Sequence, residues 1–164
     1  MIKPHKVKFH PFYWAIVEAA AAQSVATRHK VGAVLVMPTG MISTGWNGSP
    51  SGLPDECETW DDTLQRYKTK PETVHAERNA IDKMTREGVS TKGSVLFVTR
   101  APCFECAKAL MGLGLEAVYY REEHDDMRGL ELLHHAGIRT DHEAPPVVRP
   151  PPPPTKPERY NLAA

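Results

Sequence analysis

Along the chain, apolar residues fall into alternating helix-like and strand-like runs. Residues 11–28 carry Phe12, Ile16, Ala19 and Ala20 at roughly helical spacing, and the alanine run has high helix propensity. The neighbouring aromatics Phe12, Tyr13 and Trp14 read as core packing rather than as a base-stacking platform. Residues 31–37 and 41–46 are β-type runs separated by Pro38-Thr39-Gly40, a hairpin signal. The stretch 47–74 is long and loop-rich, with one helical turn expected around 60–67. Residues 75–87 predict a helix that Gly88 ends. A strand at 94–99, a helix at 103–113 and a strand at 117–120 follow. A last helix at 126–135, closed by Gly137, leads into a short strand at 138–140. The order αββαβαβαβ is an α/β pattern, one sheet of about five strands with helices packed on it. The hairpin makes the first pair antiparallel, so the sheet is expected to be mixed.

Composition narrows the class. Twenty basic residues balance 20 acidic ones among 164. That neutrality offers no general attraction to a polyanion, so a nucleic-acid partner is not expected. No apolar run is long enough to span a bilayer. The basic segment 1–10 lacks the apolar core and cleavage site of a secretory signal, so the expected location is the cytoplasm, or the host cytoplasm if the source is viral. Three cysteines cannot all pair, which excludes a small disulfide-stapled module.

Proline marks a boundary. Of 15 prolines, eight lie in 145–157, five of them consecutive at 150–154. Such a run favours extended polyproline II geometry. The expected folded domain is therefore 1–142, followed by a proline-rich, disordered tail at 143–164.

Two segments carry the chemistry: Thr73-Val74-His75-Ala76-Glu77-Arg78-Asn79-Ala80 and Ala101-Pro102-Cys103-Phe104-Glu105-Cys106. Cys103 and Cys106, three apart, share one face of a helix. At a helix N-terminus their thiolates are favoured by the dipole, and Pro102 suits that first turn. His75 completes a His/Cys/Cys set, which leaves one position open on a tetrahedral zinc and so fits a catalytic rather than a structural ion. Glu77 is the natural proton carrier for water acidified there. His75 and Glu77, two apart, can both serve that ion only if it sits off the helix end. A structural zinc or two buried thiols would leave Glu77 without a role.

His-x-Glu followed by Pro-Cys-x-x-Cys is the signature of the zinc nucleobase deaminases. With Val31-Gly32-Ala33-Val34-Leu35-Val36, Gly45-Trp46-Asn47-Gly48-Ser49-Pro50 and Leu96-Phe97-Val98-Thr99, these blocks resemble the deoxycytidylate (dCMP) deaminase branch of the cytidine deaminase-like zinc-dependent superfamily. The resemblance runs from about residue 12 to 140. It implies a three-layer α-β-α fold with a mixed sheet. It implies hydrolysis of dCMP to dUMP and ammonia, feeding thymidylate synthesis, with one catalytic Zn²⁺ on His75, Cys103 and Cys106 and proton transfer by Glu77. Asn47 matches the family's nucleoside-contacting asparagine, and the backbone around Ala76, Ala101 and Pro102 is expected at the base edge. Members of this branch are usually homo-oligomers, commonly hexamers, and many are activated by dCTP with Mg²⁺ and inhibited by dTTP. The loop Trp46, Asn47, Gly48 and Ser49 is the expected regulatory site.

The chain departs from the family at several positions. Trp46 replaces a usual tyrosine, as it also does in tRNA adenosine deaminases. Thr99-Arg100-Ala101 replaces a common Thr-Leu-Ser, and Arg100 there reads equally as a phosphate contact, a change in which nucleotide is preferred, or an exposed charge at a strand end. His124 stands near a family tyrosine. Only Cys57 remains of the residues that hold a second zinc in many relatives. Two rival functions follow: a tRNA adenosine deaminase, disfavoured by neutral charge, and a non-catalytic zinc scaffold whose proline tail recruits partners, disfavoured by Glu77.

Overall fold

The computed structural model describes residues 6–144. The proline-rich tail at 145–164 lies outside the described residues. Glu143, which the sequence assigns to that tail, belongs to the folded part. Its backbone N–H donates to the Tyr120 carbonyl at 2.7 Å, and its carboxylate receives Trp14 Nε1–H and meets His10 Nδ1, both at 2.7 Å.

The chain opens with a 3₁₀ turn, Val7–Phe9, and helix α1, His10–Ala22, which has Pro11 in its first turn. Strands β1 (Gly32–Val36) and β2 (Ile42–Trp46) form the expected hairpin. A second small hairpin follows, β3 (Glu58–Asp61) and β4 (Arg66–Thr69). Then come α2 (Ala76–Arg86), β5 (Val95–Arg100), α3 (Phe104–Met111), β6 (Ala117–Glu122), α4 (Arg128–His135) and β7 (Arg139–His142).

The main sheet runs β2-β1-β5-β6-β7. Pairs β1/β2 and β1/β5 are antiparallel, and β5/β6 and β6/β7 are parallel, so the sheet is mixed and five-stranded as the pattern predicts. Alternate residues of its central strands divide between two cores. Val34, Val36, Val95, Phe97, Ala117 and Tyr119 pack under Tyr13, Trp14 and Val17 of α1. Ala33, Leu35, Leu96, Val98, Val118 and Tyr120 pack under α2, α3 and α4. Helices cover both faces, which is why β1, β5 and β6 read as continuous apolar runs instead of alternating ones. The three layers are α1, the sheet, and the other three helices. No described helix is long and apolar enough to cross a membrane.

Three local expectations are corrected. The helical turn at 60–67 is instead the β3–β4 hairpin. Trp60 and Tyr67 pair across it with ring centroids 5.2 Å apart, and Asp61 accepts from Thr63 and Leu64 N–H at 3.0 Å to shape the turn. Helix α1 stops at Ala22, short of residue 28. Ser24 Oγ turns away to donate to Asn47, and it accepts from Ala26 N–H, competing with helical bonds. Phe12 is exposed while Tyr13 and Trp14 are buried: at about 100° per residue the arc of α1 that faces the sheet takes in Tyr13 and Trp14, and Phe12 falls outside it.

Candidate metal and active site

The site forms where two helix N-termini meet at the carboxyl ends of β5 and β6. His75 is the N-cap of α2, in extended backbone geometry (φ −73°, ψ 155°), and Cys103 is the N-cap of α3 (φ −66°, ψ 169°). His75 thus precedes the helix while Glu77 sits in its first turn, so the two-residue spacing does not separate them on opposite faces. Cys106 N–H donates to Cys103 Sγ at 3.4 Å, which folds both sulfurs onto the start of α3. The positive ends of both helix dipoles face the same point and favour anionic groups there.

His75 Nδ1 lies 3.5 Å from Cys103 Sγ and 3.3 Å from Cys106 Sγ, and the three ligand atoms fall within 4.8 Å of one another. A tetrahedral zinc with ordinary Zn–S and Zn–N bonds requires N···S separations of about 3.6 Å. The donor set and its spacing therefore fit one zinc ion, with the fourth position free. Cys57 is elsewhere, buried under Thr73, whose hydroxyl donates to its carbonyl.

Electrostatics match that assignment. A hydrogen bond from Cys106, with another from His75, brings the Cys103 thiol down to about 3. Cys106 is pushed up by sharing its proton with Cys103, by burial and by the charge of Glu77. The hydrogen bond to Cys103 raises His75. Glu77 is 4% exposed, and burial pushes its carboxyl up, against the pull of its own backbone N–H and of His75.

These groups open on a cavity of about 110 Å³. The sequence-derived residues His75, Ala76, Glu77, Cys103, Asn47, Arg100, Ala101 and His124 all line it. Pro102 lies behind the wall, where its carbonyl oxygen faces Gly129 so closely that a Cβ there would stand 2.2 Å away. Asn47 is held within the protein by three side-chain hydrogen bonds. Its Nδ2 donates to the His29 carbonyl at 2.8 Å, and its Oδ1 accepts from Val31 N–H at 2.8 Å and Ser24 Oγ at 2.7 Å.

The rest of the expected regulatory loop faces away from the cavity. The Trp46 carbonyl accepts from Asn79 and its ring sits under Lys83 Nζ; Gly48 pairs with Val74; Ser49 Oγ donates to the Glu56 carbonyl.

Sequence reasoning missed His29, Glu58 and Thr69, which also line the cavity. Both Glu58 oxygens accept from Thr27 N–H and one also accepts from Arg28 N–H, at 3.1–3.2 Å, so this hairpin residue holds the loop that presents His29. The sequence signal available was the β-type pairing of Glu-Thr-Trp-Asp with Arg-Tyr-Lys-Thr, which locates the hairpin but not its contact with 27–29.

Residues 9–122 match the model of the cytidine and deoxycytidylate deaminase zinc-binding region. ComE operon protein 2 of Bacillus subtilis is 33% identical over 141 residues, spanning 83% of this chain and 71% of its own. A deoxycytidylate deaminase of Mycobacterium phage D29 is 35% identical over 122 residues, 68% of this chain and 93% of its own. Among solved structures, the dCMP deaminase of cyanophage S-TIM5, in complex with dCMP and dUMP, is 35% identical with a TM-score of 0.77. That match covers 87% of this chain and 100% of the other.

Proposed function

The chain belongs to the zinc-binding cytidine and deoxycytidylate deaminase family, and from that premise we propose that it hydrolyses the 4-amino group of a deoxycytidine nucleotide, dCMP foremost, to give dUMP and ammonia. The observation that carries the reading is the His75, Cys103 and Cys106 donor set, two of whose members, His75 and Cys103, line one cavity with the buried carboxylate of Glu77. Similarity to a phage enzyme solved with dCMP and dUMP supports the choice of substrate.

His75, Cys103 and Cys106 would hold the zinc, which when bound would supply the acidity that makes water a nucleophile near neutral pH. Glu77 is the residue that would take a proton from the attacking water as its oxygen bonds to C4 of the base, and return a proton to the departing nitrogen as the C4–N bond breaks. Its burial raises the carboxyl, which favours taking up the proton it must later return. The backbone of Ala76, at the start of α2, and of Ala101, between β5 and α3, lines the cavity and is the part of its wall we assign to the reacting edge of the ring. Asn47 acts by pinning the wall at His29 and Val31, and its remaining amide N–H is the one available to the sugar.

We also expect the family's homo-oligomeric assembly, a hexamer in the usual case, and its response to dCTP with Mg²⁺ and to dTTP. Reduced cytoplasm suits the free thiols that the metal requires. The decisive assay incubates zinc-loaded protein with dCMP, dCTP, deoxycytidine and an adenosine-containing anticodon-stem RNA, and follows ammonia with and without dCTP–Mg²⁺. Release from dCMP ahead of the others is the expected result. Release from the RNA alone overturns it in favour of a tRNA adenosine deaminase.

A further inference from the structure

Arg100 ends β5 immediately before Ala101, and its side chain lines the cavity while only 12% exposed. Among the described residues that line the cavity it is the sole lysine or arginine, hence the sole permanent cation. A guanidinium carries five N–H donors in a planar fork. Here one nitrogen, Nη2, reaches Asp125 Oδ2 at 3.0 Å, while Nε is buried and meets no partner. A largely buried arginine with an unmet donor is costly unless a further acceptor arrives.

Asp125, its counter-ion, lies on the loop between β6 and α4 and is 90% exposed. Such a carboxylate returns to water with little loss, since an exposed partner contributes little to an ion pair. Of the acids that line the cavity, Glu77 is buried beside the metal ligands, and Glu58 is already committed to the Thr27 and Arg28 N–H groups. The field of Arg100 is felt across the opening: after burial, it is the largest influence holding His29 below its ordinary value.

Resting on the reading that this cavity takes a deoxycytidine nucleotide, we propose that Arg100 selects the 5′-phosphorylated substrate over the nucleoside, and that Asp125 occupies the guanidinium until the phosphate displaces it. A phosphate brings more charge and more acceptor oxygens than a carboxylate, and it matches the arginine fork in two-point geometry. The exchange makes and breaks only ion pairs and hydrogen bonds. It also gives a physical reason for an arginine at this position, where an aliphatic residue would fill the wall without the cost of desolvating a charge.

The test compares kcat/KM for dCMP and for deoxycytidine in zinc-loaded wild type, Arg100→Met, Arg100→Lys and Asp125→Asn, with zinc content and melting temperature confirming folding. In Arg100→Met the dCMP to deoxycytidine ratio is expected to fall about thirtyfold, the size of one charge-assisted contact, chiefly through KM for dCMP. Arg100→Lys restores part of that ratio, because charge returns without the fork. Asp125→Asn, a surface change, is expected to lower KM for dCMP about threefold while leaving that for deoxycytidine in place.

Equal losses on both substrates in Arg100→Met, or an unchanged ratio, overturn the role of Arg100. If that variant fails to fold, an Asp125→Asn enzyme whose KM for dCMP does not fall overturns the proposal on its own. A wild-type enzyme that turns over no cytosine nucleotide overturns the underlying functional reading, and does so before any variant is compared.

Discussion

A Cβ on Gly45 would stand 2.1 Å from the carbonyl oxygen of Ala76 and 2.6 Å from the backbone nitrogen of Ala80. Strand β2 therefore lies directly on the first turn of α2, the turn that carries Glu77 and is capped by His75. Gly45→Ala must push backbone apart, since neither contacting atom belongs to a flexible side chain. The expected cost is about 3 kcal/mol, at the upper end for overpacking, or a melting temperature lower by about 10 °C. Zinc content should also fall below one ion per chain, because His75 moves with the helix. Thermal unfolding with metal analysis checks both.

Glu77→Gln keeps shape and removes proton transfer. Ammonia release from dCMP is expected to drop about a thousandfold, while zinc content and melting temperature are retained. The melting temperature at neutral pH should hold or rise, because burial penalises the native carboxylate and the amide carries no charge. Turnover that survives this change removes Glu77 from the mechanism.

Stripping the metal with a chelator should expose one reactive thiol. Cys103 is half-buried and brought down to about 3, whereas Cys57 is buried and pushed up by that burial. Mass spectrometry after brief alkylation of the stripped protein should therefore find label on Cys103 first, and restored zinc should block it. Equal labelling of Cys57 would contradict the assignment. The stripped protein should also melt earlier, since an ion bound only by the native state stabilises it.

Asn47→Ala removes one donated and two accepted hydrogen bonds that hold the loop between α1 and β1. The expected loss is about 2 kcal/mol, with faster amide exchange at 29–31 and a higher KM. Asn47→Asp keeps the acceptors for Ser24 and Val31 and loses only the donor to His29, so its exchange should lie between that of wild type and alanine.

His29 sets a weak pH dependence. Burial first, then Arg100 and Arg28, hold it below its ordinary 6.5. In the window just below that value the unfolded chain binds the proton more readily than the native one. Stability from this group is therefore complete above pH 6.5 and is lost as the pH falls through the native value. Between pH 7 and about 5.5 the melting temperature of wild type should fall slightly more steeply than that of His29→Gln, as calorimetry across that range would show.

Much of the architecture is legible in the sequence, and the reason is local. Strands β1, β5 and β6 are covered on both faces, so their apolar runs are unbroken and stand out. The spacings His75-x-Glu77 and Cys103-x-x-Cys106 are set within single helical turns, so the donor types and the proton carrier can be read before any folding is known. The β3–β4 hairpin is different, because Trp60 and Tyr67 stabilise it only by meeting across the turn. The end of α1 depends on Ser24 finding Asn47, 23 residues later.

By itself, then, the sequence determined which side chains are chemically able to hold a metal, which carboxylate stands beside them, and that the framework is α/β. Only the tertiary structure decided that His75 and Cys103, 28 residues apart, meet at 3.5 Å. It also decided that His29, Glu58 and Thr69 wall the same cavity, and that Arg100 is held there by Asp125. Spacing within a helix turn or strand is governed by backbone geometry, which each stretch of chain carries with it. Convergence of loops from different strand ends depends on the packing of the whole sheet, which no local stretch contains.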